Sequence, residues 1–179
     1  MRVLISGGPG SGCTSTAIAV GEHLKIPVFD SDSFFHKPTD PPFQEQYTLE
    51  ERRALLMRSL ASRPSWILSG SVSTWGLADL APTHAVFLKV PTSERLDRLN
   101  RRQRDQFGSR IDPGGDMERE HASFMEWAAE YEYRSGNGRN LITDLAFLKS
   151  NSRLLDCIEG AEPFKKVVDR VIGFVSGSC

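Results

Sequence analysis

Gly7-Gly8-Pro9-Gly10-Ser11-Gly12-Cys13-Thr14-Ser15-Thr16 is the stretch that decides the fold, and it directly follows the apolar run Val3–Ser6. Its spacing matches the phosphate-binding pattern G-x-x-x-x-G-K-[ST] at every fixed position except the lysine, where Cys13 stands. Glycines let the backbone wrap closely, so that N–H groups and the N-terminus of the following helix converge on phosphate oxygens. A plain strand-to-helix turn needs fewer glycines. We therefore predict a phosphate-binding loop.

The residues predicted to bind a nucleotide all lie in this one connection. They are Gly7, Gly8, Gly10, Ser11, Gly12, Cys13, Thr14 and Ser15. The hydroxyl of Thr14 is the predicted ligand of Mg²⁺. Cys13 removes the ammonium that normally reaches the β- and γ-phosphates. Phosphate binding can survive this change, but fast phosphoryl transfer then needs another cation.

Length and composition narrow the class of protein. A chain of 179 residues is long enough for one domain with its own core, residues 1–179. The 22 basic and 23 acidic residues give a formal net charge of −1, so no overall field attracts the chain to nucleic acid or to a membrane. No stretch has the roughly 18 apolar residues of a membrane span.

The three cysteines show no spacing typical of a metal site or a disulfide framework. A reduced, cytoplasmic setting fits them best. Cys157 is expected to be a small buried residue and Cys179 a mobile terminal one.

Short apolar runs alternate with longer amphipathic segments, which predicts βαβ units and a largely parallel sheet with helices on both faces. The predicted strands are Val3–Ser6, Pro27–Asp30, Trp66–Gly70, Ala85–Val90 and Leu154–Ile158. The predicted helices are Gly12–Leu24, Leu49–Ala61, Ser93–Phe107, Met117–Tyr133, Leu141–Lys149 and Pro163–Val175. Thr48 and Glu51 have the spacing of a capping box.

Two segments interrupt this alternation. Pro38–Pro42 must be a loop, because its prolines disfavour a helix. Asp112–Asp116 separates a helix rich in arginine from one rich in acids: residues 95–110 hold six arginines, and residues 116–134 hold six acids. Two helices of opposite charge can pair or open as a flap. Alternatively, their charged faces are simply exposed to solvent.

With these features, the chain resembles the nucleoside monophosphate kinase and shikimate kinase branch of the P-loop proteins, including small adenylate-kinase-like enzymes. The resemblance covers nearly the whole chain. It rests on the loop Gly7–Thr14, on Asp30-Ser31-Asp32, on Ser69-Gly70-Ser71, on the arginine-rich helix and on the closing unit Leu154–Val175. It implies a three-layer α/β/α P-loop fold with a five-stranded parallel sheet, ATP and Mg²⁺ as ligands, a substrate clamp at about residues 31–62 and a helical lid at about residues 95–135.

Polar residues follow the second and third predicted strands. Ligands of open α/β sheets bind beyond the carboxyl ends of the strands, so Asp30, Asp32, Ser69 and Ser71 are expected to meet above the loop. In kinases that the chain resembles, an acid at this place accepts the proton of an attacking hydroxyl or holds Mg²⁺. Asp32 is the candidate for both roles and Asp30 for substrate binding. Alternatively, the two acids are helix-cap or turn residues, since Asp-Ser-Asp is also typical of turns.

Further candidates lie in the clamp and the lid. Arg101 and Arg110 are the candidates to bind phosphoryl oxygens when the lid closes, unless they form plain surface ion pairs. Lys37 is a second candidate to replace the missing ammonium. Ser69, Gly70 and Trp75 are candidates for the acceptor pocket. A tight turn explains Gly70 almost as well, and packing in the core is the favoured explanation of Trp75.

The leading hypothesis is an ATP-dependent phosphotransferase acting on a nucleotide or a small hydroxyl-bearing metabolite. The alternative is a nucleotide-binding module with weak or no catalysis, which can be redox-sensitive if the Cys13 thiol has a lowered pKa at the helix N-terminus. Nucleic-acid binding by the arginine-rich helix is disfavoured by the neighbouring acids. The acceptor, the preference for ATP over GTP and the oligomeric state stay open.

Overall fold

Five strands form one sheet in the computed structural model, which describes residues 1–40 and 42–177. The strands are β1 (Arg2–Gly7), β2 (Val28–Asp30), β3 (Trp66–Ser69), β4 (His84–Lys89) and β5 (Leu154–Glu159). Their order is β2-β3-β1-β4-β5, and each neighbouring pair is parallel. The connection after β1 runs to β2 on one side of β1, whereas the connection after β3 crosses to β4 on the opposite side of β1. The crevice between β1 and β3 is therefore the place where a ligand is expected.

Helices cover both faces of the sheet. They are α1 (Cys13–Leu24), α2 (Asp32–Phe35), α3 (Leu49–Ala61), α4 (Thr92–Phe107), α5 (Glu118–Ala129), α6 (Leu141–Asn151) and α7 (Phe164–Ser176). Single 3-10 turns lie at Ala78–Leu80 and Gly108–Ile111.

The alternation of side chains along β1 divides the core into two layers. Val3 and Ile5 pack against α1 and α7, whereas Leu4 packs against α3 and α6. All three side chains are at most 1% exposed. Because both faces are buried, the central strands are continuous apolar runs, and this is the pattern that predicts them in the sequence.

Two capping boxes fix helices that border the crevice. The predicted box is confirmed at the start of α3, where Thr48 accepts from the Glu51 N–H and Glu51 accepts from the Thr48 N–H. A second box joins Asn140 and Thr143 at the start of α6. Asn140 is 1% exposed, so the first turn of α6 is anchored inside the protein.

The predicted fold class is confirmed: a five-stranded parallel sheet lies between two layers of helices. Three local expectations differ. Asp32 begins the short helix α2, which is not among the predicted helices, and α5 is shorter than the predicted Met117–Tyr133. The expectation that Cys157 is buried is wrong, because it lies on the edge strand β5 and is exposed. Cys179 lies outside the described residues.

Within the described part of the chain, no helix is both long and apolar enough to cross a membrane.

Candidate functional site

The phosphate-binding pattern folds into a loop that turns sharply into α1. Gly10 and Gly12 have φ angles of 85° and 84°, in the left-handed region that favours glycine. A Cβ on Gly10 would lie 2.4 Å from the Arg95 carbonyl oxygen, so this glycine is also required for close packing. The N–H groups of Cys13, Thr14 and Ser15 belong to the first turn of α1 and have no partner inside that helix. They are the donors available to an anion.

Ser11 does not fit its predicted role. Its N–H donates to the Gly8 carbonyl at 3.0 Å, so that N–H is not free for a phosphate. The side chain is 3% exposed, and its hydroxyl has no hydrogen-bond partner among the described residues. It lines a cavity of about 290 Å³ together with Gly8 and Arg95. Ser11 is therefore part of the support of the loop.

The buried side chain of Arg95 supports the phosphate-binding loop. It is 1% exposed, Nη1 donates to the Pro9 carbonyl at 2.8 Å, and Nη2 contacts both carboxylate oxygens of Glu132 at 2.6 Å. The sequence placed Arg95 at the start of the lid. Its burial shows that this arginine is a fixed part of the site and not a mobile one.

Thr14, Asp30 and Asp32 meet at the mouth of the loop. The Thr14 hydroxyl donates to Asp30 Oδ2 at 2.8 Å, and the Asp32 N–H donates to Asp30 Oδ1 at 2.9 Å. Hydroxyl and carboxylate oxygens are the ligands that Mg²⁺ uses, and it normally takes only one or two from protein beside phosphate and water oxygens. Among the described residues, no group of three or more His, Cys, Asp or Glu side chains could hold a metal by itself. The three residues therefore fit a Mg²⁺ ion shared with a nucleotide.

The pKa of Asp32 is raised from its ordinary value. Desolvation by the protein around it is the largest cause, and the negative charge of Asp30 adds to it. The positive charges of Arg139, His36 and Arg102 oppose the rise. Arg102 comes from α4 and His36 follows α2, so groups from both sides of the crevice act on this carboxyl. A raised carboxyl pKa is typical of a group that accepts a proton in catalysis.

Cys13 is half-buried at the position of the missing lysine. Burial raises the pKa of its thiol to about 12; the positive charge of Arg139 opposes this, while Asp144 and Asp30 add to it. The expectation of a lowered pKa is wrong, because desolvation outweighs the N-terminus of α1. The thiol is neutral at physiological pH, and this disfavours redox sensing through Cys13.

Sequence reasoning missed a buried polar cluster beside the loop, centred on Asp144 of α6. Asp144 is 1% exposed and accepts hydrogen bonds from Ser71 at 2.6 Å, Ser73 at 2.5 Å and the Tyr131 hydroxyl at 2.8 Å. The Nε of Arg139 lies 3.5 Å from it. Burial and the neighbouring Asp144 raise the pKa of Tyr131, so its hydroxyl stays protonated as a donor. We call these five residues the Asp144 cluster.

The lid arginines fall into two groups. Arg101 and Arg102 are exposed and line an open cavity of about 540 Å³ with Arg98, Asp105 and Gln106. Arg110 instead pairs with Asp116 at 2.7 Å and lies 3.6 Å from Asp40. In this arrangement the Arg110 charge is already compensated by acids of its own surroundings, and its pKa is raised, chiefly by the hydrogen bonds to Asp116.

The clamp candidates are placed differently from the prediction. Trp75 is 2% exposed and stacks with Phe35 in the core, and Ser69 is fully buried with its hydroxyl 3.4 Å from the Phe29 carbonyl. Neither side chain faces the crevice. Gly70 has a φ of 97°, and a Cβ there would lie 2.0 Å from the Ser31 hydroxyl, so it serves a tight turn.

Lys37 is not directed at the loop. Its ammonium lies 3.5 Å from Glu45 and 5.8 Å from the centre of the Tyr47 ring. This placement does not support its predicted role as a substitute for the missing lysine.

Comparison with known proteins supports the fold. No protein-family model matches the chain. The chain is 28% identical over 180 residues to the uncharacterized protein YqaC of Bacillus subtilis strain 168, covering 99% of this chain and 98% of that protein. The function of this relative gives no guidance.

Solved kinase structures share the architecture over nearly the full chain. A gluconokinase from Sinorhizobium meliloti 1021 matches with a TM-score of 0.59 and 19% identity, covering 99% of this chain and 92% of that one. A shikimate kinase from Bacteroides thetaiotaomicron matches with a TM-score of 0.58, 19% identity and 98% of both chains. A shikimate kinase from Aquifex aeolicus gives 0.54, 15% identity and coverage of 99% and 98%. The chain has the fold of these P-loop kinases.

Proposed function

We propose that this chain is an ATP-dependent phosphotransferase that acts on a nucleotide or a small hydroxyl-bearing metabolite. The observation that carries the proposal is the cluster at the mouth of the loop, where the Thr14 hydroxyl donates to Asp30 at 2.8 Å and the Asp32 N–H donates to the same carboxylate at 2.9 Å. The chain shares its fold with a gluconokinase and two shikimate kinases, and these names support a phosphotransferase that acts on a small molecule.

The nucleotide would lie with its phosphates on the loop. The free N–H groups of Cys13, Thr14 and Ser15 would bind phosphate oxygens, helped by the positive end of the α1 dipole. Thr14 would hold a Mg²⁺ ion, with Asp30 or Asp32 binding its water shell. When bound, this ion supplies charge that stabilises the transferring phosphoryl group.

Asp32 would act as the base. The acceptor hydroxyl oxygen forms a bond to the γ-phosphorus, and the bond from that phosphorus to the β–γ bridging oxygen breaks. ADP leaves with the electron pair of the broken bond, and the hydroxyl proton passes to the Asp32 carboxylate. The surroundings that raise the Asp32 pKa make it a better acceptor of that proton.

The lid would complete the site by moving. Arg101 and Arg102 face the open cavity, and closure would bring their guanidinium groups toward the phosphates. For Arg110 to take the catalytic role predicted from the sequence, closure must first break its pair with Asp116. That pair is exposed and therefore easily exchanged.

The second candidate is a nucleotide-binding module without useful catalysis. The observation that favours it is the neutral Cys13 thiol, which places no charge where the pattern has a lysine. The substitution Cys13→Lys separates the two candidates. An increased rate with an active acceptor indicates intact machinery, whereas no turnover by either form supports the binding module.

The experiment for the leading proposal is an acceptor screen that follows ADP release. Mg-ATP is offered with nucleoside monophosphates, sugar acids and polyols, to the wild type and to Asp32→Asn. We expect acceptor-dependent ADP release by the wild type and its loss in the variant. No release above the acceptor-free rate, for the wild type or Cys13→Lys, would contradict the proposal.

A further inference from the structure

Arg139 lies beside the phosphate loop, next to its first residue. Its Nη2 donates to the carbonyl of Gly7, the first residue of the loop, at 3.0 Å. Its Nε lies 3.5 Å from Asp144, whose carboxylate also binds Ser71 in the loop after β3. Arg139 is therefore anchored between the first residue of the phosphate loop and the polar groups beside it.

The surroundings of Arg139 fix the orientation of its side chain. The guanidinium carbon lies 5.7 Å from the centre of the Trp127 ring and 5.9 Å from that of Tyr131. The next residue, Asn140, is the buried cap of α6. A cation held between aromatic rings and a helix cap loses less conformational entropy when it binds an anion than a free side chain does.

The charge of Arg139 is only weakly compensated, and a comparison with Arg95 shows this. Arg95 contacts both oxygens of Glu132 at 2.6 Å and is 1% exposed. Arg139 lies 3.5 Å from Asp144, whose oxygens already accept three hydroxyl hydrogen bonds, and its side chain is 25% exposed. Arg139 therefore keeps donors and positive charge available to the crevice.

We propose that Arg139 binds the terminal phosphates of the nucleotide and supplies the positive charge that Cys13 cannot. This inference rests on the proposed function, since it requires that ATP occupy the loop. The planar guanidinium can contact two phosphoryl oxygens at once, and its hydrogen bond to the Gly7 carbonyl keeps it beside the phosphate loop.

The test measures dissociation constants of Mg-AMP-PNP and Mg-ADP by calorimetry, for the wild type, Arg139→Gln and Arg170→Gln. Arg170 is the matched control, because it is an arginine of α7 that pairs with Asp156 outside the site. We expect Arg139→Gln to bind Mg-AMP-PNP roughly 10- to 100-fold more weakly, the effect of a charge-assisted hydrogen bond. Mg-ADP should weaken less, because it lacks the γ-phosphate, and Arg170→Gln should match the wild type.

A second arm adds the lysine. In the double variant Cys13→Lys/Arg139→Gln, the ammonium should recover most of the lost Mg-AMP-PNP affinity. If Arg139→Gln does not fold, Arg139→Lys takes its place, because lysine keeps the positive charge but lacks the planar guanidinium. We then expect the substitution to weaken Mg-AMP-PNP binding several-fold more than it weakens Mg-ADP binding.

The outcomes separate the two proposals. If the wild type binds Mg-AMP-PNP and Arg139→Gln binds it equally well, the inference is overturned and the proposed function stands; Arg139 then acts on the acceptor or on structure alone. An equal loss for both nucleotides in a folded variant also overturns it. If the wild type binds neither nucleotide, the proposed function fails and the inference fails with it.

Discussion

The Asp144 cluster and the Arg110–Asp116 pair use the same two chemical groups in opposite ways. Asp144 is 1% exposed and gathers hydroxyl groups from the loop after β3 and from the end of α5, together with Arg139. Arg110 and Asp116 lie six residues apart on the lid and keep 38% and 52% of their side chains exposed. One arrangement joins separate elements of the fold, and the other joins neighbours in one loop.

The difference teaches which parts of the site are fixed. A buried carboxylate with several donors is costly to disturb, because each donor left behind is unsatisfied away from water. An exposed pair exchanges its partner for water at little cost. The cluster therefore holds Arg139 in place, while the exposed lid pair can separate at little cost, as the proposed lid closure requires.

The largest expected effect concerns Asp32, the proposed base, which belongs to neither the cluster nor the lid. Asp32→Asn keeps the size of the side chain but cannot take a proton, so the acceptor-dependent rate should fall roughly 10²- to 10⁴-fold. Mg-ATP affinity should change far less. Steady-state kinetics with the acceptor found by the screen measures the first, and calorimetry the second. A rate within a factor of three of the wild type would exclude Asp32 as the base.

The next effect is on stability. Asp144→Ala leaves the hydroxyl groups of Ser71, Ser73 and Tyr131 without their acceptor and Arg139 without its counter-charge. We expect a loss of about 3–5 kcal/mol in the free energy of unfolding, measured by urea denaturation. The control Asp116→Ala removes an exposed carboxylate of the lid and should leave the urea midpoint unchanged. Equal effects of the two substitutions would remove the distinction between the cluster and the lid pair.

Thiol reactivity gives a smaller contrast of the same kind. The pKa of Cys13 is raised to about 12, whereas Cys157 is exposed on β5. At pH 8, iodoacetamide should alkylate Cys13 on the order of 100-fold more slowly than Cys157, because so little of the Cys13 thiol is ionised. Peptide mass spectrometry at timed intervals measures both rates. Faster labelling of Cys13 would restore the redox hypothesis.

The smallest effect is a dependence of stability on pH. Because the folded protein raises the Asp32 pKa, ionised Asp32 destabilises the fold; its favourable contribution exists below the ordinary carboxyl pKa of about 3.9 and is lost as pH rises through the higher folded value. Asp32→Asn should therefore be more stable than the wild type at pH 7, and the gap should close below about pH 4. Thermal unfolding across this range measures it; a gap that widens in acid would mean that the sign is wrong.

The sequence predicts well what is local. The loop pattern Gly7–Thr16, the buried strands and the capping box at Thr48 depend on neighbours within a few residues. The convergence of strand ends predicts Asp30 and Asp32 at the crevice; Asp30 accepts a hydrogen bond from Thr14 at the start of α1 and another from the Asp32 N–H.

What the sequence does not predict depends on contacts between distant residues. Arg139 and Gly7 are 132 positions apart, and the Ser71 hydroxyl and the Asp144 carboxylate that accepts its hydrogen bond are 73 positions apart. No local spacing marks such pairs. Trp75 and Ser69 were placed in the acceptor pocket because they follow β3 or end it, but their burial is decided by the tertiary packing around them. The flanking glycines and the Asn140 cap are the only local signals near Arg139.

The most direct test of the central claim is a calorimetric titration of the wild type and of Thr14→Val with Mg-ATP. Thr14→Val has nearly the same shape but lacks the hydroxyl that would hold Mg²⁺. We expect the wild type to bind Mg-ATP saturably at one site per chain. Binding should be roughly 10-fold weaker in Thr14→Val, and also roughly 10-fold weaker in the wild type when Mg²⁺ is chelated. No heat of binding from the wild type at millimolar Mg-ATP, matched by no thermal stabilisation, would contradict the central claim.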